Sequence, residues 1–277
     1  MYSKLLDYIS KSGEAEIKEK FSNLRLLMSG SAPLSQSLAK HWTDTTGTQL
    51  LERYGATETG MILSNPINGP RHLGHVGMPL PSVNVRLVEP SGGKVVLTAN
   101  DSNVNRSSRN EKDEITELEV SGDSIFTHYL NRDEDTKKAF SIDENGTRWY
   151  KTGDSVSYSE DLKSFKVNGR LSSDIIKSGG YKLSALDIET KLNDHPNIKE
   201  CSVVGIPDEE WGEKVVVAVQ YNDPVNPLKL EELQLWCADR MPKYWIPRQL
   251  RTFENGIPKN QMGKVNKKQL RTIFESN

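Results

Sequence analysis

The chain has 277 residues, 35% hydrophobic and 27% charged, with a formal net charge of −2. That balance is globular and lies outside the disordered range, and the length suits one large domain or two ordinary ones. A nearly neutral surface exerts no long-range pull on nucleic acid or an anionic membrane, and no apolar run reaches the length of a membrane span. Cys201 and Cys237 have neither metal nor redox spacing, so a reducing, intracellular compartment is expected. The stretch after Met1 has no signal-peptide core and no Arg-rich transit bias, so no targeting region is visible in it.

Residues 3–21 read as a helix with Leu5, Leu6, Ile9 and Ile17 on its apolar side. Residues 24–29 read as a short buried strand, running into Gly30-Ser31-Ala32-Pro33 and a helix from near Ser35. A second strand is predicted at 49–54, ended by Gly55. Strand, helix, strand predicts an α/β layer with a parallel sheet. After Pro66 the texture changes. Pro and Gly are frequent up to Pro81, and short strands follow at Val83–Val88, 94–97 and 115–120, predicting a small β-rich subdomain. The polar stretch 100–113 reads as a mobile surface loop, and 158–167 as a β-hairpin turning near Ser159-Glu160-Asp161. A third region opens near Gly169. It holds a strand at Ile175-Ile176, the pair Gly179-Gly180, and a helix over 184–195 with Ser184 and Asp187 placed as a capping pair. Strands at 201–205 and 214–221, a helix at 228–240, a strand at 249–253 and a helix at 267–274 complete a compact α+β module.

Four clusters carry chemistry, and each also has a plain structural reading. Tyr54-Gly55-Ala56-Thr57-Glu58 follows a buried strand, where α/β sheets place ligands. It offers an aromatic face, a hydroxyl and a carboxylate able to hold Mg²⁺; read plainly, it is a polar strand-to-loop turn. Thr152-Gly153-Asp154 sets a carboxylate just past a glycine, suited to two sugar hydroxyls, or is an ordinary β-turn. Gly169-Arg170 supplies a guanidinium for ribose or phosphate, or a solvated linker charge. Lys264 stands on a Gly-containing loop, where its ammonium would neutralise charge growing on a phosphate, unless it is a surface lysine.

Order, spacing and identity together make the chain resemble the adenylate-forming superfamily of acyl-CoA synthetases, luciferases and peptide-synthetase adenylation domains. The resemblance covers essentially the whole chain. It implies α/β plus α+β architecture: residues 1–168 as the C-terminal portion of the AMP-binding large domain, 169–173 as a hinge, and 174–277 as a small mobile lid domain. It implies ATP, Mg²⁺ and coenzyme A as cofactors, and a carboxylic acid activated through acyl-AMP. Gly30, Ser31 and Ala32 match the adenine-side glycine loop, and Tyr54 and Gly55 lie by the nucleotide. Thr57 meets phosphate, Glu58 serves the metal, Asp154 and Arg170 take ribose, and Lys264 is the lysine of adenylation. Gly179, Gly180 and Tyr181 match the lid loop of the pantetheine tunnel.

Three departures qualify the match. The Ser/Thr/Gly-rich phosphate loop of the family is absent, so the chain is expected to be a fragment whose activity alone is doubtful. Thr116-Glu117-Leu118 replaces Gly-Glu-Leu, a minor change. The hinge holds Ser172 and Ser173 where the family has Asp or Lys. Within the superfamily the resemblance is nearest to malonate–CoA ligases, which implies malonate or methylmalonate as substrate and a mitochondrial or cytoplasmic setting. Arg53 would then hold the second carboxylate, or pair with Glu52 or Glu58 to stiffen the loop. The alternatives are a medium-chain or aryl acyl-CoA ligase, and a non-catalytic truncated form acting as a binding module.

Overall fold

The structure, a computed structural model, describes residues 2–9, 18–21, 23–32, 34–107, 115–223, 225–261 and 263–276. It divides into two compact units, Met1–Val167 and Asn168–Asn277.

In the first unit, α1 (Tyr2–Ile9) occupies the start of the helix expected over 3–21; residues 10–17 of that expectation lie outside the described residues. Its Leu6 packs with Leu34, Ala39, Leu50 and the fully buried Trp42, against which Tyr2 and Phe21 stand edge-on with centroids at 4.7 and 5.1 Å. Strand β1 (Met28–Ser29) is shorter than the expected 24–29. Leu24 and Met28 are exposed, so that segment has no buried face to hold it extended. Helix α2 (Gln36–Thr46) begins where Ser35 predicts: the hydroxyl of Ser35 accepts the Leu38 N–H at 3.2 Å. Pro33 lies outside the described residues.

Strand β2 (Leu51–Ala56) runs parallel to β1, with Ser29 opposite Glu52. It continues through Gly55, the expected end. From there the predicted parallel sheet gives way, because β3 (Gly60–Ser64) and β4 (Met78–Pro79) join antiparallel, in the order β1-β2-β3-β4. The reason is the connection: only Thr57 to Thr59 separate β2 from β3, and a parallel neighbour needs a crossover of about a dozen residues.

The β-rich subdomain is a second sheet. It contains β5 (Val83–Val88), β6 (Val95–Ala99), β7 (Val104–Arg106), β8 (Glu117–Gly122), β9 (Phe140–Ile142), β10 (Arg148–Ser159) and β11 (Ser164–Arg170), with α3 (Asp133–Ala139) before β9. Its order is β11-β10-β8-β5-β6-β7, with β9 on β10. Val83, Val85 and Leu87 are buried on one face while Asn84 is exposed on the other, the alternation of a sheet with one buried face. Strand β7 corrects part of the expected loop at 100–113: Val104 pairs opposite Ala99. Residues 108–113 of that loop lie outside the described residues.

In the second unit β12 (Ile175–Ser178) and β13 (Tyr181–Ser184) form a hairpin at Gly179-Gly180, so the chain turns back as a strand before entering α4 (Ala185–Leu192). Ser184 caps α4, accepting the Asp187 N–H at 3.1 Å as its sequence position predicts. Then come β14 (Ile198–Asp208), β15 (Gly212–Tyr221), α5 (Leu230–Ala238), β16 (Gln249–Thr252) and α6 (Lys267–Glu275). The run Val215 to Val219 is fully buried because both faces of the sheet are covered. Val215, Val217 and Val219 pack with Ile188 and Leu192 of α4 and Leu233 of α5. Val216 and Ala218 pack with Leu270 and Phe274 of α6. Among the described residues no helix is long and apolar enough to cross a membrane.

Candidate active site

Parallel pairing of β1 and β2 brings the loop after β1 beside the end of β2. Gly30 follows Ser29 directly, and the Arg53 guanidinium lies against it: a Cβ on Gly30 would sit 3.0 Å from Arg53 Cζ, Nε and Nη1. The Nε of Arg53 is buried with no hydrogen-bond partner. Neither neighbour considered for an ion pair takes it. Glu52 accepts the Gly74 N–H at 2.8 Å, and Glu58 accepts the Tyr129 hydroxyl at 3.1 Å. Ser31 and Ala32 are exposed, with Ser31 at φ 69. Gly55 is required sterically, since a Cβ there would fall 2.1 Å from the Gly60 carbonyl oxygen across the hairpin.

Two tyrosine hydroxyls reach two carboxylates. Tyr54 donates to Asp154 Oδ2, joining residues that the sequence places 100 apart, and Tyr129 donates to Glu58. The turn carrying Asp154 is built from β8. Thr152 Oγ1 donates to the Leu118 carbonyl at 2.8 Å, Asp154 N donates to Thr152 Oγ1 at 3.1 Å, and Gly153 N donates to Glu117 Oε1 at 3.1 Å. Burial pushes the Glu117 carboxyl above the ordinary range, against that hydrogen bond. Thr116, in place of the family's glycine, is buried and donates to the Val156 carbonyl. Thr57 is exposed on the hairpin turn.

Glu58 is half-buried, and no basic side chain pairs with it among the described residues. Nor does any group of three His, Cys, Asp or Glu among them suit a metal ion. A single half-buried carboxylate fits Mg²⁺ held chiefly by substrate phosphates, better than a cation caged by protein. Sequence reasoning missed Glu117 and Tyr129. No periodicity or spacing marks Tyr129, and only the fold brings it to Glu58.

The second unit holds the rest of the expected set. Arg170 N donates to Asp174 Oδ2 at 2.8 Å, and Asp174 N returns to the Arg170 carbonyl at 2.8 Å. Ser172 and Ser173 lie within this closed turn. The carboxylate nearest them in this turn is that of Asp174. Lys267 of α6 sits 2.7 Å from Asp174 Oδ1 and 2.8 Å from Glu189 Oε1. Burial pulls the Lys267 ammonium down, yet Glu189 and Asp174 outweigh it and hold it above the ordinary lysine range. Gly179 and Gly180 form the β12–β13 turn, Gly179 N donates to the Trp211 carbonyl at 2.9 Å, and the half-exposed Tyr181 stacks on Tyr244 at 4.4 Å. Lys264 is exposed, on a loop closed by Asn260 N to the Lys264 carbonyl at 2.7 Å and Lys264 N to Asn260 Oδ1 at 3.0 Å.

The family model for the AMP-binding enzyme matches residues 1–130, and that for the AMP-binding enzyme C-terminal domain matches 187–264. The chain is 41% identical over 285 residues to a mitochondrial malonate–CoA ligase of Xenopus laevis, covering 99% of this chain and 48% of the relative. It is 38% identical over 288 residues to a malonate–CoA ligase of Arabidopsis thaliana, covering 100% and 43%. Among solved structures, ATP-bound MatB from Rhodopseudomonas palustris superposes with a TM-score of 0.79 at 28% identity, over 99% of this chain and 53% of that one. The chain thus spans about half the length of the curated relatives it matches. With both family models matched in order along one chain, and the fold of their structures reproduced, the chain belongs to the AMP-binding enzymes of the adenylate-forming superfamily.

Proposed function

We propose that the chain serves an ATP-dependent acid–thiol ligase that joins malonate or methylmalonate to coenzyme A through acyl-AMP. The observation carrying this reading is the Arg53 guanidinium, laid against Gly30 with a buried Nε that has no partner. An unmatched buried donor is costly and makes sense where a ligand completes it. A dicarboxylic acid would do so by accepting two parallel hydrogen bonds. The names of the relatives, malonate–CoA ligases, support the same substrate and thiol.

The substrate carboxylate attacks the α-phosphorus of ATP, the bond to the β-phosphate breaks, and pyrophosphate leaves. Mg²⁺, when bound, would neutralise phosphate charge beside Glu58. Tyr54 holds Asp154 in place for the ribose hydroxyls, and the exposed Lys264 is the candidate cation for charge developing at phosphorus. The coenzyme A thiol then attacks the acyl carbon, loses its proton, and AMP departs. Gly179, Gly180 and Tyr181 are the candidate path for the pantetheine arm. Rotation of the second unit at 169–173 would separate the two half-reactions and exclude water from the anhydride. Mitochondrial relatives support a mitochondrial setting.

Malonate-dependent exchange of labelled pyrophosphate into ATP tests the reading. In the full-length enzyme we expect exchange that is lost in Lys264→Ala. Equal exchange with butyrate favours a medium-chain ligase. A second reading, a binding module without catalysis, rests on the chain spanning about half the length of its relatives. Tight nucleotide binding without exchange would favour it.

A further inference from the structure

Glu58 is braced at two points by one segment. Its carbonyl accepts the Phe126 N–H at 2.9 Å, and its Oε1 accepts the Tyr129 hydroxyl at 3.1 Å. The segment is itself fixed. Tyr129 N donates to Thr136 Oγ1 at 3.0 Å at the start of α3. The Phe126 ring lies 4.7 Å from Tyr129, 5.2 Å from Phe140 and 5.4 Å from Tyr150, so the hydroxyl stands on a packed aromatic cluster. On the other side, the turn carrying Glu58 is closed by Ala56 N to Thr59 Oγ1 at 3.1 Å and Thr59 N to the Ala56 carbonyl at 3.2 Å. A rigid donor thus faces a carboxylate on a rigid turn.

We propose that Tyr129 is a positioning residue for Glu58. By donating to Oε1, its hydroxyl holds the carboxylate in one orientation and leaves Oε2 as the oxygen that would meet a metal carried by the nucleotide. This rests on the proposed ATP-dependent reading. A tyrosine suits the role because its neutral hydroxyl orients the carboxylate without cancelling the negative charge that attracts the cation. A lysine or arginine in its place would compete with the metal. Outer hydrogen bonds of this kind typically change metal affinity by about 10–100-fold.

The test uses the whole chain and Mn²⁺ as a paramagnetic probe with ATP. Electron paramagnetic resonance reads the Mn²⁺ bound with nucleotide, and calorimetry reads ATP binding at saturating and limiting Mn²⁺. Tyr129→Phe keeps the ring in the aromatic cluster and removes only the hydroxyl. We expect the Mn²⁺ concentration for half-occupancy to rise about 10-fold, with the melting temperature unchanged and ATP binding at saturating Mn²⁺ nearly preserved. In a Glu58→Gln background the same substitution should add little, because the two groups act as one unit. An unchanged Mn²⁺ dependence in Tyr129→Phe, or full additivity with Glu58→Gln, overturns the assignment while leaving the nucleotide reading intact. A wild-type chain that binds no Mn²⁺ with ATP overturns both.

Discussion

Around the β2–β3 hairpin of the first unit, buried polar groups are incompletely matched, whereas in the second unit a buried ammonium meets two carboxylates. Arg53 Nε has no partner, and Glu52 sits in a protein environment that opposes its charge. Lys267, by contrast, is 12% exposed and lies within 2.8 Å of both Asp174 and Glu189. Desolvation is similar in kind at both places, but in the second unit opposite charges face each other and offset it in part, with the Glu189 carboxyl still raised by burial. A group left unmatched is available to a ligand, and a group fully matched holds a shape. The first unit thus keeps a guanidinium nitrogen without a partner, and the second uses Lys267 to tie α6 to α4 and to the residue before β12.

Breaking the matched cluster should give the largest effect. Lys267→Met leaves Asp174 and Glu189 facing each other without their cation. We expect a loss of about 3–5 kcal/mol from the second unit, as for other buried pairs stripped of one partner. Urea denaturation followed by hydrogen exchange in β14 and β15 measures it. Adding Asp174→Asn and Glu189→Gln should restore much of the loss. A loss below about 1 kcal/mol would mean the cluster is not the anchor described here.

The unmatched side predicts the reverse for stability and a selective loss for binding. Arg53→Met removes a buried cation, so the first unit should melt no lower than wild type. If the guanidinium takes the far carboxylate of malonate, kcat/KM for malonate should fall by the equivalent of about 2–5 kcal/mol, while butyrate should lose little or gain. A uniform fall for both acids would assign Arg53 to stiffening the loop.

The same contrast explains what was legible in the sequence. Local rules located α2 and α4 through Ser35 and Ser184, since a cap is decided within a few residues. The strands at 201–205 and 214–221 were located in the sequence, and the structure shows the run Val215 to Val219 buried on both faces. The motif set pointed to the correct family, because its members occur in fixed order. Three features were not legible. Strand β3 was not predicted: the residues after Gly55 were read as a ligand loop or polar turn, and the strand–helix–strand alternation that gave the parallel β1–β2 pair says nothing about the strand that follows. β13 was missed because Gly179-Gly180 serves a hairpin as well as it serves the start of a helix. Tyr129, 71 residues from Glu58, and Lys267, 93 from Asp174 on the sequence, make their contacts only through tertiary folding.

The smallest predicted effect concerns Glu52 and the dependence of the first unit's stability on pH. Burial pushes its carboxyl up to about 7 from the ordinary 4.5, and the Gly74 N–H bond offsets this only in part. An acid whose folded value is raised binds more protons folded than unfolded between about pH 4.5 and 7. Its contribution to stability is therefore fully present below that window and falls as pH rises through it, becoming constant above. At about 1.4 kcal/mol for each pH unit of displacement, the loss is at most about 3 kcal/mol, and local relaxation will lower it. Glu52→Gln keeps an oxygen for Gly74 and carries no charge. It should match wild type at pH 4.5 and stabilise the first unit at pH 8. Burial also raises the Glu189 carboxyl beside Lys267, and the ammonium offsets this only in part, so the second unit should show a slope of the same sign, which Glu52→Gln leaves untouched. Denaturation midpoints of both units at pH 4.5, 6 and 8 decide the matter. Parallel curves for wild type and Glu52→Gln would show that Glu52 is already ionised in the folded chain.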